Sequence, residues 1–141
     1  MGSKMEKFKN IILGVVFVGL MFVICNVRAE RSPWTEDYYN RGWCEQKGGV
    51  AEHRLPNGKR VDCLLDKYAV EADWANYKAY EAIGQSLYYA KETNRHPAVL
   101  LIVKDEDGMK WVKMVSKTMK YYHIKSKVWY IIAYERMESV K

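Results

Sequence analysis

The stretch that decides the fold runs from Arg54 to Ala90 and reads RLPNGKRVDCLLDKYAVEADWANYKAYEAIGQSLYYA. Its Pro-Asn-Gly at 56–58 is a turn signal between two seven-residue runs, GVAEHRL (49–55) and KRVDCLL (59–65). Two such runs joined by a three-residue turn predict a β-hairpin. This hairpin would begin the central sheet of the domain.

After the hairpin, the spacing of apolar residues changes twice. In KYAVEADWA (67–75) apolar and other residues alternate with a period of two, which predicts a strand and sets Glu71 and Asp73 on its second face. From residue 76 to residue 94 the apolar spacing becomes three and four, which is typical of an amphipathic helix. The segment therefore predicts three strands followed by a helix.

The flanking sequence extends this pattern on both sides. SPWTEDYYNRGWCEQK (32–47) predicts a first helix, with acids in its first turn and Gly48-Gly49 as its stop. PAVLLIV (97–103) and KVWYIIAY (127–134) predict strands, and residues 109–124 between them predict a helix. The order indicates one α/β domain with a mixed central sheet flanked by helices.

The N-terminal segment has a different character. A basic start, MEKFKN, precedes an uncharged apolar run from Ile11 to Cys25, and Val27 and Ala29 stand at the small-residue positions of a cleavage site. This pattern predicts a secretory signal peptide over residues 1–29 and a mature domain over 30–141. The protein would then be periplasmic or secreted. The alternative is an uncleaved segment that anchors the domain to the membrane.

Export changes the interpretation of the charge. The whole chain carries 23 basic and 17 acidic residues, a formal net charge of +6. Removal of residues 1–29 takes away four basic residues and one acidic residue, so the mature domain has a net charge of +3. This excess permits binding to phosphates but does not require it. A lysine-rich C-terminal third is either a solvated helix face or a binding surface: Lys110, Lys113, Lys117, Lys120, Lys125 and Lys127.

Two cysteines remain in the mature domain, Cys44 and Cys63. In an oxidising compartment an even pair is most simply a disulfide, which here would tie the first helix to a central strand. The alternative is two buried free thiols.

Several common catalytic classes lack their motifs in this sequence. It contains no Gly-rich phosphate loop, no Gly-x-Ser-x-Gly elbow and no His-x-x-x-His spacing. A Cys-His nucleophile stays open, although two cysteines in an exported protein more often pair. The carboxylates around the hairpin are the other candidates for chemistry.

These carboxylates and the helix after them carry a resemblance. Asp62 in RVDC, Glu71 and Asp73 in YAVEADWA, and Gln85 and Tyr89 in EAIGQSLYYA resemble the motifs of the PD-(D/E)XK nuclease superfamily. The chain is similar to small exported bacterial members of that superfamily over about residues 44–103. The resemblance implies a restriction-endonuclease-like αβββαβ core.

The resemblance also implies a chemistry and a ligand set. Asp62 and Glu71 would hold Mg²⁺ or Mn²⁺, a hard cation that needs only one or two carboxylates besides water and phosphate oxygens. Gln85 and Tyr89 would orient Glu71 or a phosphate. The expected activity is hydrolysis of phosphodiester bonds in DNA or RNA.

The site departs from the superfamily pattern at two positions. Asp73 stands where the motif has lysine, so the positive charge would come from Lys78 or, as a second possibility, from Arg60. The acid of the first motif is expected to be Glu45, at the end of the first helix, with Glu52 on the first strand as the weaker candidate.

Two other hypotheses compete with a nuclease. The carboxylates can form an ordinary solvated sheet face. Alternatively, the domain can be a non-catalytic exported binding module that keeps the fold and contacts its partner through the lysine-rich helix or an aromatic surface.

Overall fold

The computed structural model of the protein describes residues 35–133. The predicted signal peptide and cleavage site lie outside the described residues. Three helices and five strands follow one another in the predicted order. They are α1 (Glu36–Gln46), β1 (Val50–Arg54), β2 (Arg60–Leu64), β3 (Tyr68–Trp74), α2 (Ala79–Thr93), β4 (His96–Val103), α3 (Gly108–Tyr121) and β5 (Lys127–Ile132). The predicted α/β class with a mixed sheet is confirmed.

The five strands form one sheet in the order β1-β2-β3-β4-β5. β1, β2 and β3 form an antiparallel meander, whereas β4 pairs parallel to β3 and β5 pairs parallel to β4. Parallel neighbours need a crossover connection, and α2 and α3 provide the two crossovers. In this order β3 and β4 each lie between two neighbouring strands, and we call them the central strands. Between residues 35 and 133, no helix has the length and apolar character needed to cross a membrane.

Both faces of the sheet are covered. On one face, Trp43 and Cys44 of α1 pack against Val70 and Leu100 of the central strands. On the other, the buried stripes of α2 and α3 pack against alternate residues of β4, including Val99 and Leu101. Because β4 is buried on both faces, it reads as a continuous apolar run rather than an alternating one.

The start of α2 differs from its prediction. The helical spacing begins at Asn76, but the helix itself begins at Ala79. The Asn76 side chain accepts a hydrogen bond from the Lys78 N–H at 2.8 Å. An asparagine that bonds to the backbone two residues on forms a turn instead of a first helical turn. The turn places Lys78 directly before the helix.

Cys44 and Cys63, the pair predicted to form a disulfide, are bonded to each other in the structure, with their Cα atoms 5.6 Å apart. The bond is buried and joins α1 to β2. Gly49, in the turn between α1 and β1, packs directly against it. A Cβ atom at this position would lie 2.7 Å from Cys63 Sγ and 2.8 Å from Cys44 Sγ.

Gly49→Ala is therefore expected to destabilise the domain by about 1–3 kcal/mol, because the added methyl group has no space beside the disulfide. Urea unfolding measures the change. Gly42→Ala is the matched control, since a Cβ atom there, in the middle of α1, meets no atom within 4 Å. It should stabilise the helix by about 0.5–1 kcal/mol. Equal stabilities for the two variants would contradict the close packing at Gly49.

Candidate functional site

The candidate site lies where β2 and β3 separate. The two strands pair at Cys63↔Val70 and Leu64↔Ala69. At the next position, the carboxylate of Asp62 accepts a hydrogen bond from the Ala72 N–H at 2.9 Å. A side chain thus satisfies a backbone donor that would otherwise bond to the neighbouring strand. Because of this hydrogen bond, the Asp62 carboxylate lies against β3.

Glu71 faces Asp62 from the centre of β3. Only 8% of Glu71 is exposed, and its Oε2 is buried and receives no hydrogen bond from any residue between 35 and 133. The Asp62 and Glu71 carboxyl groups lie close enough to share a hydrogen bond. The two residues expected to bind the cation are therefore neighbours in the structure.

Two more carboxylates complete the group. Asp73, two residues after Glu71, accepts a hydrogen bond from the Trp74 N–H at 2.7 Å. Glu36, in the first turn of α1, hydrogen bonds to Asp73 and lies close enough to raise the pKa of Glu71. We call Glu36, Asp62, Glu71 and Asp73 the carboxylate cluster. Glu71 is buried and the other three are partly buried, which distinguishes the cluster from a fully solvated sheet face.

Burial and mutual repulsion change the acidity of the cluster. Burial, followed by the charges of Asp62, Glu36 and Asp73, raises the pKa of Glu71 to about 9. Burial also raises the pKa of Asp62 to about 6, although the Ala72 N–H opposes the change. The protonated form of this pair is therefore favoured over two charged carboxylates. In each case the charged form is disfavoured by loss of water.

The Glu36–Asp73 pair behaves in the same way. Burial and then the charges of Asp73 and Asp62 raise the pKa of Glu36 to about 7. Burial raises the pKa of Asp73 as well, against the Trp74 N–H bond that favours its charged form. Four acids with raised pKa values in one place need protons or a bound cation to be neutralised.

Of the two candidate cations, Lys78 is the closer to this pair. Lys78 is exposed, and its charge lowers the pKa of both Glu36 and Asp73. Arg60 also lowers the pKa of Asp62, but it forms an ion pair with Glu52. Glu52, with the left-handed backbone angle φ of 56°, also lies 3.7 Å from the guanidinium of Arg41. Arg60 and Glu52 thus belong to a neighbouring ion-pair network.

The remaining predicted residues are divided between the site and the surface. Tyr89 lies near the cluster, since burial and then Glu71 and Asp62 raise the pKa of its hydroxyl. Gln85 is exposed on α2. Glu45 is exposed in the last turn of α1, at the opposite end of the helix from the cluster. The acid that α1 brings to the site is Glu36 rather than Glu45.

The sequence interpretation missed both Glu36 and Asn40. Asn40 is buried and donates a hydrogen bond from its Nδ2 to the main-chain carbonyl of Asp62 at 2.9 Å. A signal for both was present, because residues 36, 40 and 44 share one helix face. A disulfide from Cys44 to Cys63, next to Asp62, directs that face toward the carboxylates.

Among the described residues, no group of three or more His, Cys, Asp or Glu side chains is arranged to hold a metal ion by itself. Comparisons of the chain with protein-family models, with curated proteins and with solved structures found no match.

A second surface lies at the end of α3. Lys117, Lys120, Tyr121 and His123 line a shallow depression there. Tyr121 and Tyr122 are 76% and 68% exposed. The lysine-rich segment recognised in the sequence is therefore a basic surface with exposed tyrosines, on a different element from those that form the carboxylate cluster.

Proposed function

We propose that the protein is an exported nuclease of restriction-endonuclease-like fold that uses Mg²⁺ or Mn²⁺ to hydrolyse phosphodiester bonds of DNA or RNA. The observation that carries the proposal is the buried Glu71 carboxyl, whose Oε2 receives no hydrogen bond and which faces Asp62. Burying an acid in this way is costly unless a cation or a proton compensates for it. Buried acids with strongly shifted pKa values are common in the active sites of enzymes.

The donor set suits a hard divalent cation. Asp62 and Glu71 offer oxygen ligands from neighbouring strands, and Mg²⁺ needs few protein ligands because it keeps several waters. When bound, the ion supplies charge neutralisation at the phosphate and a water of lowered pKa. Two protein carboxylates are compatible with the absence of a three-residue ligand group between residues 35 and 133.

The other residues of the cluster have assignable tasks. Glu36 and Asp73 share a hydrogen bond, so one of them can hold or release a proton close to the reacting phosphate. Lys78 provides positive charge in place of the motif lysine that Asp73 replaces. Tyr89, whose hydroxyl lies near Asp62 and Glu71, can donate a hydrogen bond to a carboxylate or a phosphate oxygen.

The order of elements supports the same proposal. Residues 36–103 run α1-β1-β2-β3-α2-β4, which is the αβββαβ order that the resemblance implies. Asp62 lies on the second strand of the meander and Glu71 on the third, where the motif acids are expected.

A cleavage assay with the purified protein tests the proposal. Linear double-stranded and single-stranded DNA and RNA are incubated with Mg²⁺, with Mn²⁺ and with chelator. We expect metal-dependent cleavage, lost in the double variant Asp62→Ala, Glu71→Ala. Glu45→Ala is the matched control, because it removes an exposed carboxylate from the same domain and should cleave like the wild type.

Absence of cleavage by the folded wild type under all these conditions would contradict the proposal. It would favour the second candidate function, a non-catalytic binding module. The exposed tyrosines beside Lys117 and Lys120 favour that alternative, because aromatic side chains and cations together bind single-stranded nucleic acids.

A further inference from the structure

One face of α1 is bound to the site strands at every turn. Glu36, Asn40 and Cys44 follow one another at intervals of four residues and therefore lie in a row. Glu36 hydrogen bonds to Asp73, Asn40 to the carbonyl of Asp62, and Cys44 is bonded to Cys63. These three contacts hold α1 along the gap between β2 and β3.

The spacings of helix and strand agree closely. From Cys44 back to Glu36 a helix advances about 12 Å. From Val70, the partner of Cys63, to Asp73 a strand advances about 10 Å. Asp62, in the middle of this row, is skipped in the pairing of β2 with β1, which passes from Ala51↔Cys63 to His53↔Val61. Asn40 is the residue that reaches it.

The surroundings of Asn40 show that this contact comes at a cost. Asn40 is 2% exposed, and its Oδ1 is buried without a hydrogen-bond partner among the described residues. A buried amide that uses its donor but leaves its acceptor unpaired is a poor choice for stability. The amide is therefore better explained by the position it imposes on Asp62 than by the stability of α1.

We propose that Asn40 is a positioning residue for the carboxylate cluster, and that it holds Asp62 at the place where it meets a cation together with Glu71. This inference rests on the proposed metal-dependent function. The Nδ2 bond fixes the main chain of Asp62 on one side, and the Ala72 N–H fixes its carboxylate on the other. Groups that orient a metal ligand typically contribute about 10–100-fold to metal affinity.

Calorimetric titration of the full chain with Mn²⁺ tests the inference without reference to catalysis. Asn40→Ala and Asn40→Leu both remove the donor, but leucine keeps a branched side chain of the same length and removes the unpaired oxygen. Both are expected to bind Mn²⁺ about 10–100-fold more weakly than the wild type. Thermal unfolding in chelator establishes that each variant is folded.

The control is Val115→Ala, which opens a cavity in the fully buried core beneath α3 and lowers stability away from the cluster. It should keep wild-type affinity for Mn²⁺. Wild-type affinity in the two Asn40 variants, or equal losses in Val115→Ala, would overturn the positioning role. A wild-type protein that does not bind Mn²⁺ would instead overturn the proposed function, and this inference with it.

Discussion

Lys78→Ala is expected to lower kcat of metal-dependent cleavage by about 10²–10³-fold, the usual loss when one preorganised charge-stabilising group is removed from a site. Lys78 stands directly before α2, and its charge lowers the pKa of Glu36 and Asp73. Lys78 is the lysine with the largest effect on the pKa of Glu36 and on that of Asp73. Steady-state kinetics at saturating Mg²⁺ measures the effect.

The affinity for Mn²⁺ distinguishes the loss of charge stabilisation by Lys78 from a distortion of the carboxylate cluster. Removing a positive charge beside the carboxylates should leave the affinity for Mn²⁺ unchanged or slightly higher. Lys78→Arg should retain part of the activity, since it keeps the charge but not the shape of the ammonium group. Lys91→Ala, at the other end of α2, is the matched control and should cleave normally. Full activity in Lys78→Ala would show that Lys78 does not supply positive charge to the reaction.

The second large effect concerns stability and pH. The metal-free protein is expected to be more stable at pH 5.5 than at pH 8.5, by several kcal/mol. The pKa values of Asp62, Glu36 and Glu71 are raised from 3.8, 4.5 and 4.5 to about 6, 7 and 9 on folding. At neutral pH the folded protein therefore binds more protons than the unfolded protein, and stability falls as pH rises.

The pH window follows from these values. The stabilisation that these three carboxyl groups contribute through their raised pKa values is complete below about pH 4. It is lost as the pH rises through about 6, 7 and 9. Mg²⁺ replaces the protons, so it should raise Tm more at pH 8.5 than at pH 5.5. Glu71→Gln serves as the matched control because it keeps the shape and removes the charge. It should flatten the pH dependence and abolish the effect of Mg²⁺. A wild-type stability that rises between pH 5.5 and 8.5 would contradict the raised pKa values.

Local sequence patterns were sufficient for the elements of this fold. The alternation in KYAVEADWA, the Pro-Asn-Gly turn and the apolar run of β4 depend on interactions within a few residues, and all three predicted the observed elements. The error at the start of α2 had a local cause too, the turn made by the Asn76 side chain. Alternation in β3 predicted only that Glu71 and Asp73 share a face, whereas the pair Asp62 and Glu71 was expected from the resemblance of RVDC and YAVEADWA to the superfamily motifs.

The rest of the candidate site was decided by tertiary structure. Glu36 joins Asp73 across 37 positions of sequence, and Asn40 joins Asp62 across 22. No periodicity along the chain encodes such contacts, because they depend on the direction in which α1 crosses the sheet. Burial of Glu71 is likewise a property of the packed layers and not of its place in an alternating strand. The sequence by itself determined the strands, the helices and two facing carboxylates, whereas the packing of α1 on the sheet decided which further groups join them and how strongly their acidity is changed.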